Sequence, residues 1–352
     1  MNRDLIYGCI IGFVTGDALG TPLEFSERDA VWLVTEMEAC YHYNLPVGTW
    51  SDRTGHMIAL MTSLNEKKGY DSADYAKKYH QQVTHSTYNA HGKSFQLSYY
   101  TRLTGAKMTQ LLRYKHDIPK SLNPEEIHQH DCEPLYRIGP IIALLYQSPK
   151  TCLETIDQAI VLTHVSQRCR DTARYLASLV IGCLIGVHKN TLLSQHFNLM
   201  DATTYGQLRF NHLTAQYLSE CVDCRIVKVS DQQYRCQSNE EQSFLKSLFP
   251  AVGRVRRGSY REKKRSQIIS DNNVVNCLEA VLWCFYQTDS FEEGCILACN
   301  LAANAPTIGA IYGLLAGSYY GQSKIPDKWT AKIHNFEKIV EMIKTLLTDR
   351  SS

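Results

Sequence analysis

Two segments of the chain group residues that commonly bind metal ions in proteins. Cys221 and Cys224 form a Cys-x-x-Cys pair with Cys236 downstream, but a structural zinc site takes four ligands and no fourth lies at a suitable spacing. Residues 128–132 (HQHDC) are rich in potential ligands, yet no second motif accompanies them. Ordinary surface or buried thiols are therefore the favoured interpretation of the cysteines, and a zinc site is the alternative.

A strongly basic run covers residues 253–265 (GRVRRGSYREKKR). Such a run could dock an acidic protein surface, although a solvated loop is the default interpretation of clustered charge. Over the whole chain the charges nearly cancel, with a formal net charge of +2 in 352 residues. The composition therefore gives no indication of a nucleic-acid or anionic-membrane partner, and we expect neither.

The elements that must position these residues are predominantly helical. Alternation of apolar and polar positions is scarce, and only residues 224–229 indicate a short strand. Apolar positions recur at intervals of three and four in six segments: 57–64, 138–146, 173–187, 274–286, 294–300 and 308–320. The chain therefore predicts an all-α fold, interpreted as one domain over residues 1–352 with long loops and a divergent region at about 201–265.

Most of the thirteen cysteines lie in apolar runs and show no disulfide framework, which indicates buried thiols in a reducing compartment. We predict a cytoplasmic protein, with secretion by a non-classical route left open. The apolar run 5–14 is too short to cross a bilayer and is followed by Asp17, so it is interpreted as a buried first helix. We expect no membrane span and a monomer.

Two stripes of small residues stand out near the two ends of the chain. Because glycine costs about 1 kcal/mol relative to alanine in a helix interior, a repeated small face predicts the close approach of another helix. The stripes comprise Gly8, Gly12, Gly16, Ala18 and Gly20, and Gly309, Gly313, Ala316, Gly317 and Gly321. We interpret them as two helices that cross tightly in the core and can bring their end loops into one site.

Five segments, in this order, resemble motifs of the ADP-ribosylglycohydrolase family. Residues 16–25 (GDALGTPLEF) are similar to its opening signature, and residues 48–54 (GTWSDRT) to its first metal motif, Gly-x-Trp-Thr/Ser-Asp-Asp-Thr. Residues 135–140 (LYRIGP) resemble its Met-Arg-x-x-Pro stretch, and residues 162–164 (LTH) its Thr-His motif. Residues 300–311 (NLAANAPTIGAI) follow its second metal motif, which ends Asp-x-Asp-Thr. The motifs are weak singly and specific in combination.

The resemblance implies an all-α fold that holds two Mg²⁺ or Mn²⁺ ions between the two metal motifs. The four aspartate positions of those motifs are occupied here by Asp52, Arg53, Asn304 and Pro306. Hard divalent cations need several oxygen ligands, mostly carboxylates, and this set has one carboxylate and one guanidinium. Two unit charges about 4 Å apart interact by about 4 kcal/mol at an effective dielectric constant of ~20, so Arg53 would repel each ion. We therefore predict no binuclear metal site and no metal cofactor.

Two interpretations of this departure stay open. Arg53 could take over the electrostatic role of the metal, because its planar fork can pair with Asp52 or with ligand phosphates. Alternatively, Arg53 and Pro306 mark the decay of a dead site. A remodelled, working pocket is favoured because the surrounding positions are kept: Trp50, Ser51, Asp52, Thr54 and Thr307.

The resemblance also implies the catalytic and binding residues. Cleavage of a glycosidic bond to ribose passes through an oxocarbenium-like state, which needs a carboxylate nearby. Asp52 is the candidate for water activation or ribose contact, and Glu24 matches a catalytic glutamate of some members. Asp17 belongs to the same signature but is equally interpreted as a helix cap or a structural hydrogen-bond acceptor. The candidate substrate-binding residues are Ser51, Arg53, Gly92, Glu133, Arg137, His164, Asn304 and Thr307.

The assignment of three of these residues to the binding site is less direct. His164 matches a family position near the ligand, but a lone histidine is as readily a satisfied core residue. The Asn-Gly turn of the family is replaced by residues 132–134 (CEP), which questions the diphosphate-binding loop and offers Glu133 as a new acid at the pocket rim. Gly92 weakly resembles a family glycine near the adenosine.

The leading hypothesis is a metal-independent ADP-ribosyl hydrolase that acts on ADP-ribosylated proteins and releases ADP-ribose, with arginine as the first acceptor to consider. The alternative is a catalytically inactive protein that binds ADP-ribose or ADP-ribosylated partners. A third hypothesis, a scaffold only, predicts neither binding nor turnover.

Overall fold

The computed structural model describes residues 2–29, 33–92, 109, 130–164, 166–199, 224–230, 233–238 and 250–348. Helices dominate this part of the chain, so the all-α prediction is confirmed. They are α1 (Arg3–Gly20), α2 (Asp52–Lys67), α3 (Ser72–His85), α4 (Ile138–Leu145), α5 (Pro149–Val161), α6 (Gln167–Leu184), α7 (Lys189–Leu192), α8 (Pro250–Arg256), α9 (Val274–Gln287), α10 (Phe291–Cys299), α11 (Ala305–Tyr320), α12 (Asp327–Thr330) and α13 (Phe336–Thr348). Short 3₁₀ turns lie at Thr21–Leu23, Tyr41–Tyr43, Glu133–Arg137, Arg265–Gln267 and Gln322–Lys324.

The predicted short strand is β1 (Cys224–Ser230), and it pairs in antiparallel fashion with β2 (Gln233–Ser238). In this hairpin Ile226 lies opposite Cys236. The second strand has no alternating apolar pattern, so it was not predicted; a strand satisfies its backbone groups only through a partner. Each of the six predicted helical segments overlaps an observed helix.

Helices α1 and α11 pack against each other along their small-residue faces. A Cβ atom added to Gly8 would lie 2.2 Å from the carbonyl oxygen of Gly317, and one added to Gly16 would lie 1.9 Å from that of Gly309. Only a hydrogen fits at either position, so the predicted tight helix contact is confirmed. Residue numbers rise along one helix as they fall along the other, so the helices are antiparallel. The C-terminal end of α1 therefore lies beside the N-terminal end of α11.

Helix α1 is the central helix of the core. With the turn that follows it, Arg3–Leu23 is long and apolar enough to cross a membrane by length and composition alone. The core helix of a soluble protein passes the same test, and 83% of its most apolar window is buried inside the structure. The absence of a membrane span stays a prediction, supported by this burial and not by the length of the apolar run.

Ten cysteines are described as side chains, and all ten are buried and free of disulfides within the described part of the chain. Burial raises the pKa of the Cys9 thiol to about 12, which leaves it protonated and inert at neutral pH. These thiols act as small apolar side chains, as predicted. The Cys221-x-x-Cys224 pair lies outside the described side chains.

The basic run begins in α8 and continues in turns, and its side chains Arg254, Arg257 and Lys264 are exposed, as expected for solvated charge. Other residues of the run have partners within the protein. Arg261 donates to the carbonyl oxygen of Leu193 at 2.5 Å, and Lys263 forms an ion pair with Glu279 at 2.6 Å. The indole nitrogen of Trp283 donates to the carbonyl oxygen of Lys263 at 2.8 Å. These partners lie on α9 and after α7, far away in sequence, and the charge pattern alone did not indicate them.

Candidate functional site

Asp17, in the last turn of α1, joins that helix to the first turn of α2. Its carboxylate accepts hydrogen bonds from the backbone N–H groups of Ser51 and Thr54, both at 3.1 Å. The hydroxyl groups of the same two residues donate to it at 2.6 Å. These four bonds satisfy orphan donors at the start of α2, and the side chain has no exposure to solvent. The interpretation of Asp17 as a structural acceptor fits this geometry.

The loop before α2 is fixed from the C-terminal region of the chain. Gly48 has φ +77°, and a Cβ atom there would lie 1.8 Å from the carbonyl oxygen of Lys332, so only glycine fits. The Gly48 carbonyl oxygen accepts from the backbone N–H of His334 at 3.0 Å. The indole nitrogen of Trp50 donates to the carbonyl oxygen of His334 at 2.9 Å. The Gly and Trp of the first metal motif therefore position Ser51 and Asp52.

A backbone pairing brings the loop after α1 against the loop before α11. Phe25 donates its N–H to the carbonyl oxygen of Ala303, and Ala303 donates to that of Ser26, both at 2.8 Å. Glu24 and Asn304 are the chain neighbours of this pairing. They are thereby held side by side at the end of the α1–α11 contact.

The guanidinium of Arg53 occupies the point where the two metal motifs meet. Its Nη2 donates to Glu24 Oε1 at 2.6 Å and more weakly to Asn304 Oδ1 at 3.4 Å. Its Nε donates to Thr307 Oγ1 at 2.6 Å, and its Nη1 donates to Ser51 Oγ at 3.0 Å. All of these side chains were predicted from the sequence as site residues, and the structure brings them together around one cation.

Arg53 pairs with Glu24 more closely than with Asp52. The Asp52 Oδ1 atom lies 3.8 Å from Arg53 Nη1, which is beyond hydrogen-bond distance. The bidentate pair of Arg53 with Asp52, which was one of the predicted arrangements, therefore does not form. The side chain of Asp52 is 12% exposed, and no described residue outside its own backbone donates a hydrogen bond to it. Burial raises its pKa from the usual 3.8 to about 7 against the opposing charge of Arg53. Asp52 can therefore gain and lose a proton near neutral pH.

The donor set at this point does not suit two divalent cations. Pro306 occupies the first turn of α11, where its missing N–H is tolerated, and it offers no ligand atom. The carboxylate that a family metal would use at residue 53 is replaced by a cation. Thr307 accepts a hydrogen bond from that cation instead of facing a metal ion. Mg²⁺ and Mn²⁺ prefer several carboxylate and water oxygens, and the residues present supply few of them.

Tyr136 completes the surroundings of Arg53, and the sequence analysis missed it. Its hydroxyl lies 3.1 Å from Thr307 Oγ1, and the Arg53 guanidinium carbon lies 5.8 Å from its ring centroid. Such a cation–π contact stabilises a buried guanidinium. A usable signal existed, because Tyr136 precedes Arg137 within the Met-Arg-like motif, in the position of the methionine.

A second charged network lies behind this cluster and involves the other predicted binding residues. Glu133 is only 4% exposed, accepts from the Tyr79 hydroxyl at 2.8 Å, and lies 3.8 Å from Arg137 Nη2. Arg137 is 1% exposed and donates to Tyr75 Oη at 3.2 Å and to Thr163 Oγ1 at 2.5 Å. Glu133 is therefore buried, and the expectation of an acid at the pocket rim was wrong. No local sequence pattern in α3 indicates that its two tyrosines contact Glu133 and Arg137.

His164 uses both ring nitrogens within the protein. Its Nδ1 lies 2.8 Å from Thr163 Oγ1, and its Nε2 lies 3.0 Å from Asp131 Oδ1. Both ring nitrogens therefore have side-chain partners, and the Thr163 hydroxyl also donates to the carbonyl oxygen of Ile160 at 3.4 Å. This geometry fits the core-residue interpretation of His164.

Asp131, Glu133 and His164 also form a group whose ligand atoms lie within 4.8 Å of one another and could hold a metal ion. All three residues are buried. The direct bond from His164 to Asp131 and the guanidinium beside Glu133 both oppose a cation there. Asp131 belongs to the ligand-rich segment 128–132, and His164, which lies beside it in the structure, is distant from that segment in sequence.

Gly92 lies apart from both networks, in a turn with φ +63° and no neighbouring atom within 4 Å of an added Cβ. Its neighbour His91 contacts the first metal motif through a 3.1 Å hydrogen bond between Nε2 and Thr49 Oγ1. The His91 ring also contacts the His334 ring, with centroids 4.3 Å apart and the planes tilted by 43°. The turn is thus tied to the loop before α2, and a role of Gly92 in ligand binding stays a prediction.

Comparison with known proteins identifies relatives that are similar in sequence along the whole chain, and a solved structure with a similar fold. The ADP-ribosylglycohydrolase family matches residues 1–352. An ADP-ribosylarginine hydrolase Tri1 of Serratia proteamaculans (strain 568) is 24% identical over 348 residues, which cover 98% of this chain and 79% of the relative. The Tri1 hydrolase of Pseudomonas putida (strain GB-1) is 24% identical over 97% of this chain and 78% of its own length. A solved structure described as an ADP-ribosylglycohydrolase-related protein complex superposes with a TM-score of 0.72 at 25% identity and covers 98% of both chains.

Proposed function

Because the chain belongs to the ADP-ribosylglycohydrolase family, we propose that it hydrolyses the bond between mono-ADP-ribose and an arginine side chain of a modified protein. The arginine acceptor is supported by the two Tri1 relatives, whose names state that linkage. We further propose that the reaction needs no binuclear metal centre. The observation that carries this second part is the Arg53 guanidinium, which lies among the side chains of both metal motifs.

In the proposed reaction water adds to the anomeric carbon of the ribose, and the bond from that carbon to the guanidino nitrogen breaks. Asp52, with a pKa of about 7, accepts a proton from the attacking water and returns one to the departing nitrogen. The products are ADP-ribose and unmodified arginine. Glu24 places negative charge near the oxocarbenium-like transition state. Arg53 holds Glu24 in place and links α2 to α11.

A binding-only function is the second candidate. It is favoured by the 2.6 Å ion pair between Arg53 and Glu24, since a carboxylate committed to a guanidinium stabilises an oxocarbenium less than a free one. In that case the protein would bind ADP-ribose tightly in calorimetry and release none from any modified protein.

The test is release of ADP-ribose from proteins modified on arginine and, separately, on serine, each assayed with Mg²⁺ and with EDTA. We expect turnover of the arginine-linked substrate at equal rates in both buffers, and metal analysis of the purified protein should find no stoichiometric ion. Loss of turnover in EDTA would overturn metal independence and direct attention to Asp131, Glu133 and His164. No release from either substrate, with tight binding of ADP-ribose, would establish the binding-only function.

A further inference from the structure

The segment that links the two candidate catalytic positions exposes apolar side chains. We call residues 25–47 the linking segment, because it joins Glu24 to the loop before α2. Six large apolar side chains are strongly exposed in the described part of the chain, and four of them belong to this segment: Phe25 (65%), Leu33 (66%), Tyr41 (79%) and Val47 (43%). Exposed apolar groups gathered in one region mark interaction sites more often than chance positions do.

Phe25 is the most informative of these residues. Its backbone has φ +60°, a conformation that a bulky non-glycine residue rarely adopts. Because its ring is exposed, burial provides no stabilisation that would compensate for this strain. Ala302 and Ala303, across the backbone pairing, also have positive φ values of 59° and 50°. Backbone strain concentrated in this way is typical of functional sites.

A groove of about 790 Å³ opens beside Phe25. Its walls are residues 25–29 on one side and residues 264–266 with Ser270 on the other, and Leu301 and Ala303 also line it. Arg28 in one wall donates to the carbonyl oxygens of Arg265 at 2.6 Å and Ile268 at 2.7 Å, which ties the walls together. These guanidinium donors are therefore committed to the protein backbone.

The charges of the groove favour a polypeptide over a phosphate group. Arg265 forms an ion pair with Asp29 at 2.5 Å and donates to the carbonyl oxygen of Asn300 at 2.6 Å. Glu27 and Lys264 are exposed and carry opposite charges. A groove with charges of both signs, an exposed aromatic ring and committed guanidinium groups suits a peptide chain that has apolar and polar side chains.

The groove is continuous with the Arg53 cluster. Phe25 directly follows Glu24, and Ala303 directly precedes Asn304, so the backbone pairing of Phe25 with Ala303 separates the groove from Arg53 by a single residue on each side. The turn that contains Tyr41 lies beside the turn that precedes Glu24, since the thiol of Cys40 donates to the carbonyl oxygen of Thr21 at 3.5 Å. A chain lying in the groove would reach the site with one side chain.

We propose that this groove and the exposed rings of Phe25 and Tyr41 bind the polypeptide of the ADP-ribosylated substrate, with an apolar side chain of the substrate near its modified residue. The proposal rests on the proposed function and adds to it the surface that recognises the protein part of the substrate. ADP-ribose itself makes no contact with this surface.

The experiment compares two substrates of the same linkage: an intact arginine-ADP-ribosylated protein and free ADP-ribosylarginine. The variants are Phe25→Asn, chosen because asparagine tolerates a left-handed backbone, and Tyr41→Ser. The matched controls are Ile269→Ser and Tyr286→Ser, which remove the two strongly exposed apolar side chains outside the linking segment. Thermal unfolding checks that every variant is folded.

We expect kcat/KM for the modified protein to fall about tenfold or more in the Phe25→Asn, Tyr41→Ser double variant, as for loss of an aromatic anchor at an interface. Turnover of free ADP-ribosylarginine and both controls should stay within about twofold of the unmodified chain, as for surface substitutions away from an interface. Equal losses on both substrates, or no loss on either, would overturn the proposal. If the unmodified chain cleaves neither substrate, the proposed function fails. In that case the docking surface is tested by binding. The affinity of the variants for the modified protein must fall, while their affinity for ADP-ribose is unchanged.

Discussion

Two buried arginine clusters, around Arg53 and Arg137, lie next to each other in this protein. They shift the pKa of their carboxyl groups in opposite directions. In the Arg53 cluster, burial raises the pKa of Asp52 to about 7, because the guanidinium 3.8 Å away compensates only in part. In the Arg137 cluster, burial also opposes ionisation of Glu133. There the electrostatic interactions with His56, Arg137 and His164 outweigh the burial and hold the pKa of Glu133 below its usual value.

This difference shows which of the two carboxyl groups, Asp52 or Glu133, can take part in proton transfer. Glu133 is ionised at neutral pH and holds Tyr79 and Arg137 in the interior, which is the behaviour of a structural group. Asp52 is partly exposed and accepts no hydrogen bond from another described residue, and its pKa lies near neutral pH. The same kinds of side chain therefore make a reactive site in one cluster and a packing network in the other, depending on what satisfies the carboxylate.

The largest expected effect separates these two acids. Asp52→Asn should lower kcat by about 10²–10⁴-fold, the range for loss of a general base, with the protein still folded. Glu133→Gln should instead lower the melting temperature and leave kcat nearly unchanged, since Glu133 lies in the interior. Assays of ADP-ribose release with thermal unfolding of both variants test this. A variant at Glu133 that loses kcat without losing stability would reverse the assignment.

Removal of the central cation should have the next largest effect. Arg53→Ala leaves the carboxylate of Glu24 buried without its partner, and breaking a buried ion pair in this way costs about 3–5 kcal/mol of unfolding free energy. Arg170→Ala is the control, because its pair with Asp157 is more exposed, at 28% and 18%, and should cost about 1 kcal/mol or less. Denaturant unfolding measures both. Equal losses would mean that Arg53 does not hold the two motifs together.

The pH dependence should be smaller and have a defined sign. Asp52 must be ionised to accept a proton, so kcat should rise about tenfold per pH unit below pH 7 and level off above it. Its pKa is raised from 3.8 to about 7 on folding, so the folded state binds the proton more tightly. Its contribution to stability is therefore most favourable below pH 3.8 and is lost between about pH 4 and pH 7.

In Asp52→Asn, both the plateau in the rate and this decline in stability should disappear. A rate profile of the unmodified chain with no inflection between pH 6 and pH 8 would contradict the role of Asp52, given its pKa of about 7.

Much of the fold was predictable because its signals are local. Apolar positions at helical spacing predicted six helices, and the glycine stripes predicted the α1–α11 contact, since no other residue fits where two backbones touch. The motif resemblance predicted the residues around Arg53. The burial of Glu133 was not predicted. Its partners Tyr79 and Arg137 are positioned by α3 and the 3₁₀ turn, and no local sequence pattern indicates these contacts.

The sequence alone determined the family, the helical class and the loss of metal-binding acids at residues 53, 304 and 306, because each depends on residue types at fixed spacings. Only the tertiary structure decided that Arg53 pairs closely with Glu24, at 2.6 Å, and lies farther from Asp52, at 3.8 Å. The antiparallel packing of α1 and α11 brings together side chains about 280 residues apart, and the charge and burial at that junction depend on every segment that meets there.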